Sequence, residues 1–310
     1  MSRAGFVAFI GAPNAGKSTL VNRIVGSKVS IVTRKVQTTR FPVRGVAAEG
    51  ETQMVLVDTP GIFTPRRRLD RAMIRAAWNG AEDADAVVHL VDAQAHDRAL
   101  AGDANSADRL AVRDSEAIAR GLAGAGRQAF LALNKIDLVR KERLLAVTQA
   151  LFDPKIYPEV FMISAQGGAG VADLRRALAA RMPEGPWLYP ADQSADLPVR
   201  LLAAELTREK LYLRVHEELP YSATVETTAY EERPDGSVRI EQTIFVEREG
   251  QRAIVLGHGG SALKQIGQSS REELAVILDR TVHLFLHVKV MRGWAEDRRL
   301  YGEVGLDFDV

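Results

Sequence analysis

Cysteine is missing from all 310 residues, which excludes disulfides and thiolate metal sites and makes the cytoplasm the expected address. Long apolar runs are missing as well. No stretch approaches the roughly 18 apolar residues of a membrane span, and the opening residues MSRAGFVAFIGAPN pass directly into a strand-like pattern, so neither a signal peptide nor a span is expected. The third absence is an excess of charge: 41 Lys and Arg face 40 Asp and Glu, and a formal net charge of +1 gives no global pull toward nucleic acid. Length and apolar content are present in full. At 310 residues the chain exceeds the usual single domain, and 46% hydrophobic residues suffice for ordinary cores, so two domains are expected.

Three short motifs each follow a run of apolar and β-branched residues. After Gly5 to Ile10 comes GAPNAGKS, Gly11 to Ser18, and then the helical apolar spacing of Thr19 to Val25. Strand, loop and helix in that order form a phosphate cradle. Gly11 and Gly16 let backbone N–H groups turn inward without a Cβ in the way, and the helix N-terminus adds positive potential. Lys17 brings a full charge to the β and γ phosphates, and the Ser18 hydroxyl is placed for Mg²⁺. The second motif, DTPG, follows Gln53 to Val57. Asp58 stands where a carboxylate holds Mg²⁺, through water, and Gly61 offers a backbone N–H close to a γ phosphate.

The third motif, NKID, follows Ala129 to Leu133 and concerns the base. Asp137 can accept two hydrogen bonds, from N1–H and the exocyclic amine of guanine, and adenine presents neither in that arrangement. Asn134 is expected to bond the purine edge and hold neighbouring loops, and the aliphatic stem of Lys135 to cover the ring face. Further on, Val160 to Ile163 leads to Ser164 and Ala165, whose backbone suits contact with the guanine O6. The sequence thus describes a switch that binds GTP and GDP. The strand-like segments Phe6 to Ile10, Met54 to Val57, Ala86 to Val91, Phe130 to Leu133 and Val160 to Ile163 alternate with helical patterns. An α/β domain with a doubly wound, mostly parallel sheet is expected, its ligand loops at the strand C-termini.

These motifs, with Gln37 to Arg40 (QTTR) between the first two, resemble the small bacterial GTPases of the Era family over almost the whole chain. The resemblance implies a P-loop GTPase domain over 1–182 that hydrolyses GTP slowly without a partner. It implies GTP contacts by Gly11, Asn14, Ala15, Gly16, Lys17, Ser18 and Thr19, by Asp58 and Gly61, and by Asn134, Lys135, Asp137, Ser164 and Ala165. Mg²⁺ is expected on Ser18, Asp58 and a QTTR threonine, Thr39 preferred to Thr38, and the catalytic residues are expected to be Lys17, Thr39 and Gly61. Asn14 matches the position at which some relatives coordinate potassium, which implies K⁺ stimulation. In one respect the chain departs from the Ras-like pattern. Ile62 follows DTPG where a glutamine would orient the attacking water, so the missing group is expected from a bound cation, a partner, or water held by backbone.

Four prolines punctuate 183–198, which is expected to be a linker permitting relative motion of two halves. The alanine-rich stretch 92–108 is expected to be a mobile surface insertion. The run Arg66, Arg67, Arg68, Arg71 and Arg75 is expected to be a solvated face or a partner surface. Beyond the linker, a long amphipathic helix over Val199 to Leu219 is followed by strands at Tyr221 to Glu231 and Val238 to Val246 around an Arg233 to Gly236 turn. Helical segments then flank Gly257 to Gly260 (GHGG), and a strand covers Val282 to Val290. That order, with G-x-x-G before a helix, resembles a smaller α+β KH-like module of type II, as the Era family carries, over 199–310 with its C-terminal tail.

In such a module the glycine loop approaches a nucleic-acid backbone closely and an apolar groove takes single-stranded bases. Candidate RNA contacts are Gly257, His258, Gly259, Gly260, Lys264, Lys289 and Arg292. Residues 251–310 hold eight basic and eight acidic side chains, so local geometry and not a basic field would carry RNA binding. The resemblance implies 16S ribosomal RNA near its 3′ end and the 30S subunit precursor as partners, a monomer, and a place in the cytoplasm or peripherally on the inner membrane. The alternative is a nucleotide-dependent interaction protein whose C-terminal domain binds a protein or membrane surface.

Overall fold

The computed structural model describes residues 2–310 apart from 34, 36 and 216–218. They form two compact units, one of residues 2–30, 39–196 and 306–310, the other of residues 31–38 and 197–305.

The first unit is a seven-stranded sheet with helices on both faces. Its strands are β1 (Arg3–Ile10), β2 (Val43–Glu49), β3 (Thr52–Asp58), β4 (Ala86–Asp92), β5 (Phe130–Asn134), β6 (Val160–Met162) and β7 (Ala195–Asp196), in the order β6-β5-β4-β1-β3-β2-β7. β6, β5, β4, β1 and β3 run parallel, β2 is antiparallel to β3, and β7, antiparallel to β2, returns to the direction of the parallel strands. Helices α1 (Lys17–Val25), α2 (Arg68–Glu82), α3 (Ala93–Ala101), α4 (Ser106–Gly124), α5 (Lys141–Leu151) and α6 (Val171–Arg181) cover it. The period-2 alternation of β1 divides the core. Val7 and Phe9 join the cluster with Leu20, Leu174 and Leu178, and Ala8 and Ile10 join the opposite cluster with Ala77, Ile118 and Val147. Continuous apolar strands therefore place β1, β3, β4 and β5 in the middle, with their C-terminal ends on one edge.

Two expectations are corrected here. The stretch 92–108 is not a loose insertion: Asp92 caps α3 through the N–H groups of Gln94 (3.1 Å) and Ala95 (3.2 Å), and Asn105 with Asp108 forms a capping box on α4. Its alanines are helix formers with small buried faces, Ala93 and Ala95 among them. The proline-rich stretch is also ordered on the sheet. Buried Gln53 accepts the N–H groups of Leu188 (2.8 Å) and Tyr189 (3.0 Å) and donates to the Tyr189 carbonyl (2.8 Å). β7 then extends the sheet beside β2, because prolines at 183, 186, 190 and 198 leave the residues between them free to donate.

In the second unit α7 (Val199–Arg214), β8 (Ala223–Glu232), β9 (Val238–Val246), α8 (Glu249–Leu256), α9 (Ser261–Leu278), β10 (Val282–Val290) and α10 (Arg298–Glu303) follow in order. The expected helix to Leu219 ends earlier, and 216–218 lie outside the described residues. β9 lies between β8, antiparallel, and β10, parallel, and the parallel pair is joined by the α8–α9 crossover. Leu286, Val288 and Val290 face a core with Leu211, Tyr212, Val255 and Ile266, so the odd-numbered residues of β10 face away from the helices.

Candidate nucleotide-binding and nucleic-acid-binding sites

The loop between β1 and α1 is shaped by residues that tolerate its backbone. Gly16 sits at φ 102° as the N-cap of α1, and a Cβ there would lie 2.3 Å from the Asn134 Nδ2. Lys17, the first helical residue, turns back into the loop and donates to the carbonyls of Gly11 (3.0 Å) and Ala12 (3.1 Å). Burial pulls its pKa down from 10.5 to about 8, against the attraction of Asp58.

At the end of β3, Asp58 is fully buried. Ser18 Oγ donates to its Oδ2 at 2.7 Å, Thr39 Oγ1 donates to the same oxygen at 3.2 Å, and the two hydroxyls are 3.0 Å apart. Oδ1 has no hydrogen-bond partner among the described residues, and burial raises the carboxyl pKa despite the Ser18 bond and the Lys17 charge. Three oxygens from three segments, one of them a desolvated carboxylate, suit a hard divalent cation. Thr38 lies elsewhere: its hydroxyl donates to the Lys35 carbonyl and pairs with Thr33, each at 2.6 Å.

The NKID residues divide their positions. Asn134 ends β5, buried, with Nδ2 donating to the Ala15 carbonyl at 2.7 Å and Oδ1 accepting from Ala165 N at 2.9 Å. It therefore ties the phosphate loop to the 164–165 loop. Ser164 Oγ accepts from Gly167 N at 2.9 Å and shapes that turn. Asp137 is exposed in a one-turn 3-10 helix, Ile136–Leu138, which Lys135 begins at φ 66°. Thr19 lies in the first turn of α1, and Asn14, at φ 61°, is exposed at the loop tip. Gly61 packs against Pro13, and the Ile62 N–H bonds the Gly11 carbonyl at 3.1 Å. The Ile62 side chain is buried in the cluster with Ile10, Ala77 and Ala81.

Several neighbours of this site carry no motif. Arg23 reaches from α1 to the Ala165 carbonyl at 3.1 Å, and Asp92 forms an ion pair with Lys135. In the second unit, Ile31 lies in a core with Ala203 and Leu206, Val32 N donates to Glu209 Oε1 at 2.8 Å, and buried Arg208 bonds both Glu205 and the Thr38 carbonyl. An apolar helix bearing Glu, Arg and Glu at positions that bury was the available signal. Of the basic run, Arg68, Arg71 and Arg75 engage Phe308, Val310 and Asp307 within the first unit.

In the glycine loop, Gly257 is at φ 69°, Gly259 at 57° and Gly260 at 76°, and a Cβ on Gly259 or Gly260 would meet nothing within 4 Å. That is open backbone ahead of a long helix, α9. His258 and Lys264 are exposed beside it. Lys289 belongs to the odd-numbered face of β10, away from the helix layer, and Arg292 is exposed just beyond that strand. The structure thus brings Gly257, His258, Gly259, Gly260 and Lys264 together and places Lys289 on another face. Buried Trp294 donates Nε1–H to the Ser222 carbonyl at 3.1 Å.

A loop of this geometry on a doubly wound sheet, followed by a three-stranded α+β unit with a glycine loop, defines a P-loop GTPase domain joined to a KH domain. Residues 6–135 match the family model described as 50S ribosome-binding GTPase, and residues 218–295 match the KH domain. The chain is 69% identical over 309 residues to GTPase Era of Caulobacter vibrioides (strain NA1000 / CB15N), covering 100% of this chain and 98% of that protein. It is 59% identical over 308 residues to GTPase Era of Maricaulis maris, covering 99% and 98%. The chain belongs to the Era family of GTPases. A crystal structure of Era in complex with MgGDPNP and nucleotides 1506–1542 of 16S ribosomal RNA superimposes with a TM-score of 0.89 at 33% identity, covering 98% of this chain and 99% of that one. A variant of Aquifex aeolicus Era bound to GDP and AlF4⁻ gives 0.87 at 34% identity, with the same coverage. Among the described residues no helix is long and apolar enough to cross a membrane.

Proposed function

We propose that the protein is a GTP-hydrolysing switch whose nucleotide state gates binding of its KH domain to small-subunit ribosomal RNA near the 3′ end, during maturation of the 30S precursor. The observation that carries this reading is the convergence of Ser18, Thr39 and Asp58, in which Thr39 directly follows a segment packed in the other unit. A threonine drawn onto a metal and γ phosphate pulls on Thr38, whose carbonyl Arg208 holds, and through it on α7. Its similarity to GTPase Era and to the RNA-bound Era structure supports the partner.

In this reading Lys17 moves its charge from the Gly11 and Ala12 carbonyls to the β and γ phosphates, and the Gly61 N–H meets the γ phosphate. Ser18, Thr39 and Asp58 would hold Mg²⁺, which would neutralise developing phosphate charge. Asn134 fixes the loops on either side, and Asp137 takes the two guanine N–H groups. Ile62 brings no polar group, so hydrolysis is slow until a partner or cation supplies one. Asn14 provides a place for K⁺, and hydrolysis faster in potassium than in sodium buffer is expected; equal rates would remove that role. In this reading the protein acts as a monomer, in the cytoplasm or peripherally on the inner membrane.

The test is the affinity for a short single-stranded RNA matching the 3′ end of 16S ribosomal RNA, with GDP and then with a non-hydrolysable GTP analogue at one salt concentration. Tighter binding with the analogue, lost on joint replacement Gly259→Asp and Gly260→Asp, is expected. Equal affinity in both states would end the gating. No RNA binding in either state would turn the KH unit toward a protein or membrane partner.

A further inference from the structure

Asp92 stands at the end of β4, in register with Asn134 at the end of β5, and its two carboxylate oxygens serve different elements. Oδ1 caps α3, accepting from Gln94 N at 3.1 Å and Ala95 N at 3.2 Å. Oδ2 is paired with the Lys135 ammonium, with side-chain exposures of 16% for Asp92 and 30% for Lys135. A half-buried pair is less screened by water than a surface pair, and this one has a fixed anchor. The carboxylate is oriented by the cap, and α3 is itself fastened to α5 by Asp97 with Arg143, whose Nη2 also bonds the Asp97 carbonyl at 3.1 Å.

Lys135 needs such a hold. It occupies the left-handed region at φ 66°, where a side chain bearing a Cβ is strained, and it opens the one-turn helix that carries Asp137. On its other side Asn134 is locked by Ala15 and Ala165. Asn134 therefore fixes the strand end that enters the guanine turn, the Ile136 N–H bonds the Ile163 carbonyl at 3.3 Å, and the Lys135 side chain is the tether on the residue between them.

We infer that Asp92 is a positioning residue for guanine recognition: by holding Lys135 it sets the turn that presents Asp137 before nucleotide arrives. The inference rests on the proposed contact of Lys135 and Asp137 with guanine. Preorganisation of this kind acts on binding, so it changes affinity and base discrimination more than turnover.

Asp92→Asn separates the two duties, because Asn caps a helix as well as Asp does but carries no charge for Lys135. In the full-length protein this variant is expected to weaken GDP and GTP about fivefold, through faster release, and to raise KM with turnover at saturation retained. Discrimination against inosine nucleotides, which lack the exocyclic amine read by Asp137, should fall with it. The melting temperature should stay at the parental value. Combined with Lys135→Met, Asp92→Asn should add nothing.

Three results would overturn the inference. Parental affinity and discrimination in Asp92→Asn would show that Lys135 needs no holding. Additive losses in the double variant would place the effect of Asp92 outside Lys135. A loss seen only in Asp92→Ala, with a lowered melting temperature, would leave Asp92 a helix cap and nothing more. If Asp137→Ala leaves guanine affinity intact, the guanine reading itself fails, an outcome distinguishable from the other three.

Discussion

Lys17 turns burial into a measurable coupling between nucleotide and protons. Its ammonium is buried and donates to the carbonyls of Gly11 and Ala12, and its pKa falls to about 8. A bound phosphate supplies charge that restores the protonated form, so binding takes up a proton wherever the free protein has lost one. The free fraction gives an uptake of about 0.1 proton at pH 7, about 0.5 at pH 8 and about 0.9 at pH 9. Affinity then weakens about tenfold between pH 7 and pH 9. The sign for stability is opposite. The folded pKa lies below the unfolded one, the unfolded chain binds more protons between them, and the nucleotide-free fold gains about 3 kcal/mol as pH rises from 8 through 10.5. Titration calorimetry of GDP in buffers of different ionisation enthalpy reads the uptake directly. Lys17→Met serves as the reference, since any titration of the base persists in it. Enthalpies independent of buffer at pH 8, or an uptake equal in Lys17→Met, would refute the argument.

Two further consequences follow from buried polar groups. Asn134→Ala removes two hydrogen bonds and strands the Ala15 carbonyl and the Ala165 N–H, on residues each 1% exposed, so unfolding free energy should fall by about 2–4 kcal/mol and nucleotide affinity with it. A urea midpoint within error of the parent would contradict that assignment. His89 and His96 are held neutral, with burial lowering them to about 3 and about 4, and His89 Nδ1 is 2.7 Å from the Tyr157 hydroxyl. Both folded values lie below the unfolded 6.5, so stability is complete above 6.5 and is lost as pH falls through that window, at up to about 1.4 kcal/mol per pH unit for each histidine. Urea midpoints from pH 7 to pH 4.5 check the slope, and His89→Phe should flatten it; an unchanged slope in that variant would assign acid sensitivity to other groups.

What could be read from the chain was whatever depends on neighbours in sequence. The phosphate loop was legible because glycine spacing, an adjacent strand and an adjacent helix all lie within about twenty residues. The KH unit was legible because the order helix, strand, strand, helix, helix, strand, with G-x-x-G ahead of a helix, resembles that module. Long-range pairings were not. Nothing around Gln53 announces that its amide will hold the backbone at 188–189, and that pairing is what orders a proline-rich stretch that local propensity assigns to a linker. Likewise α3 is settled by a cap from the last residue of a strand, and the same residue reaches Lys135, forty-odd positions away in the chain.

Ile62 joins both kinds of information. From the sequence it is only a missing glutamine. In the structure its side chain is buried with Ile10, Ala77 and Ala81, while its N–H bonds the Gly11 carbonyl. The backbone after DTPG is thus fixed in a register that sends the next side chain into the core, away from the phosphate loop. A glutamine at 62 would have to bury an unpartnered amide or break that register, at a cost of about 1–3 kcal/mol. The absence of a polar group there is consequently a property of the packing around Gly11 and Gly61.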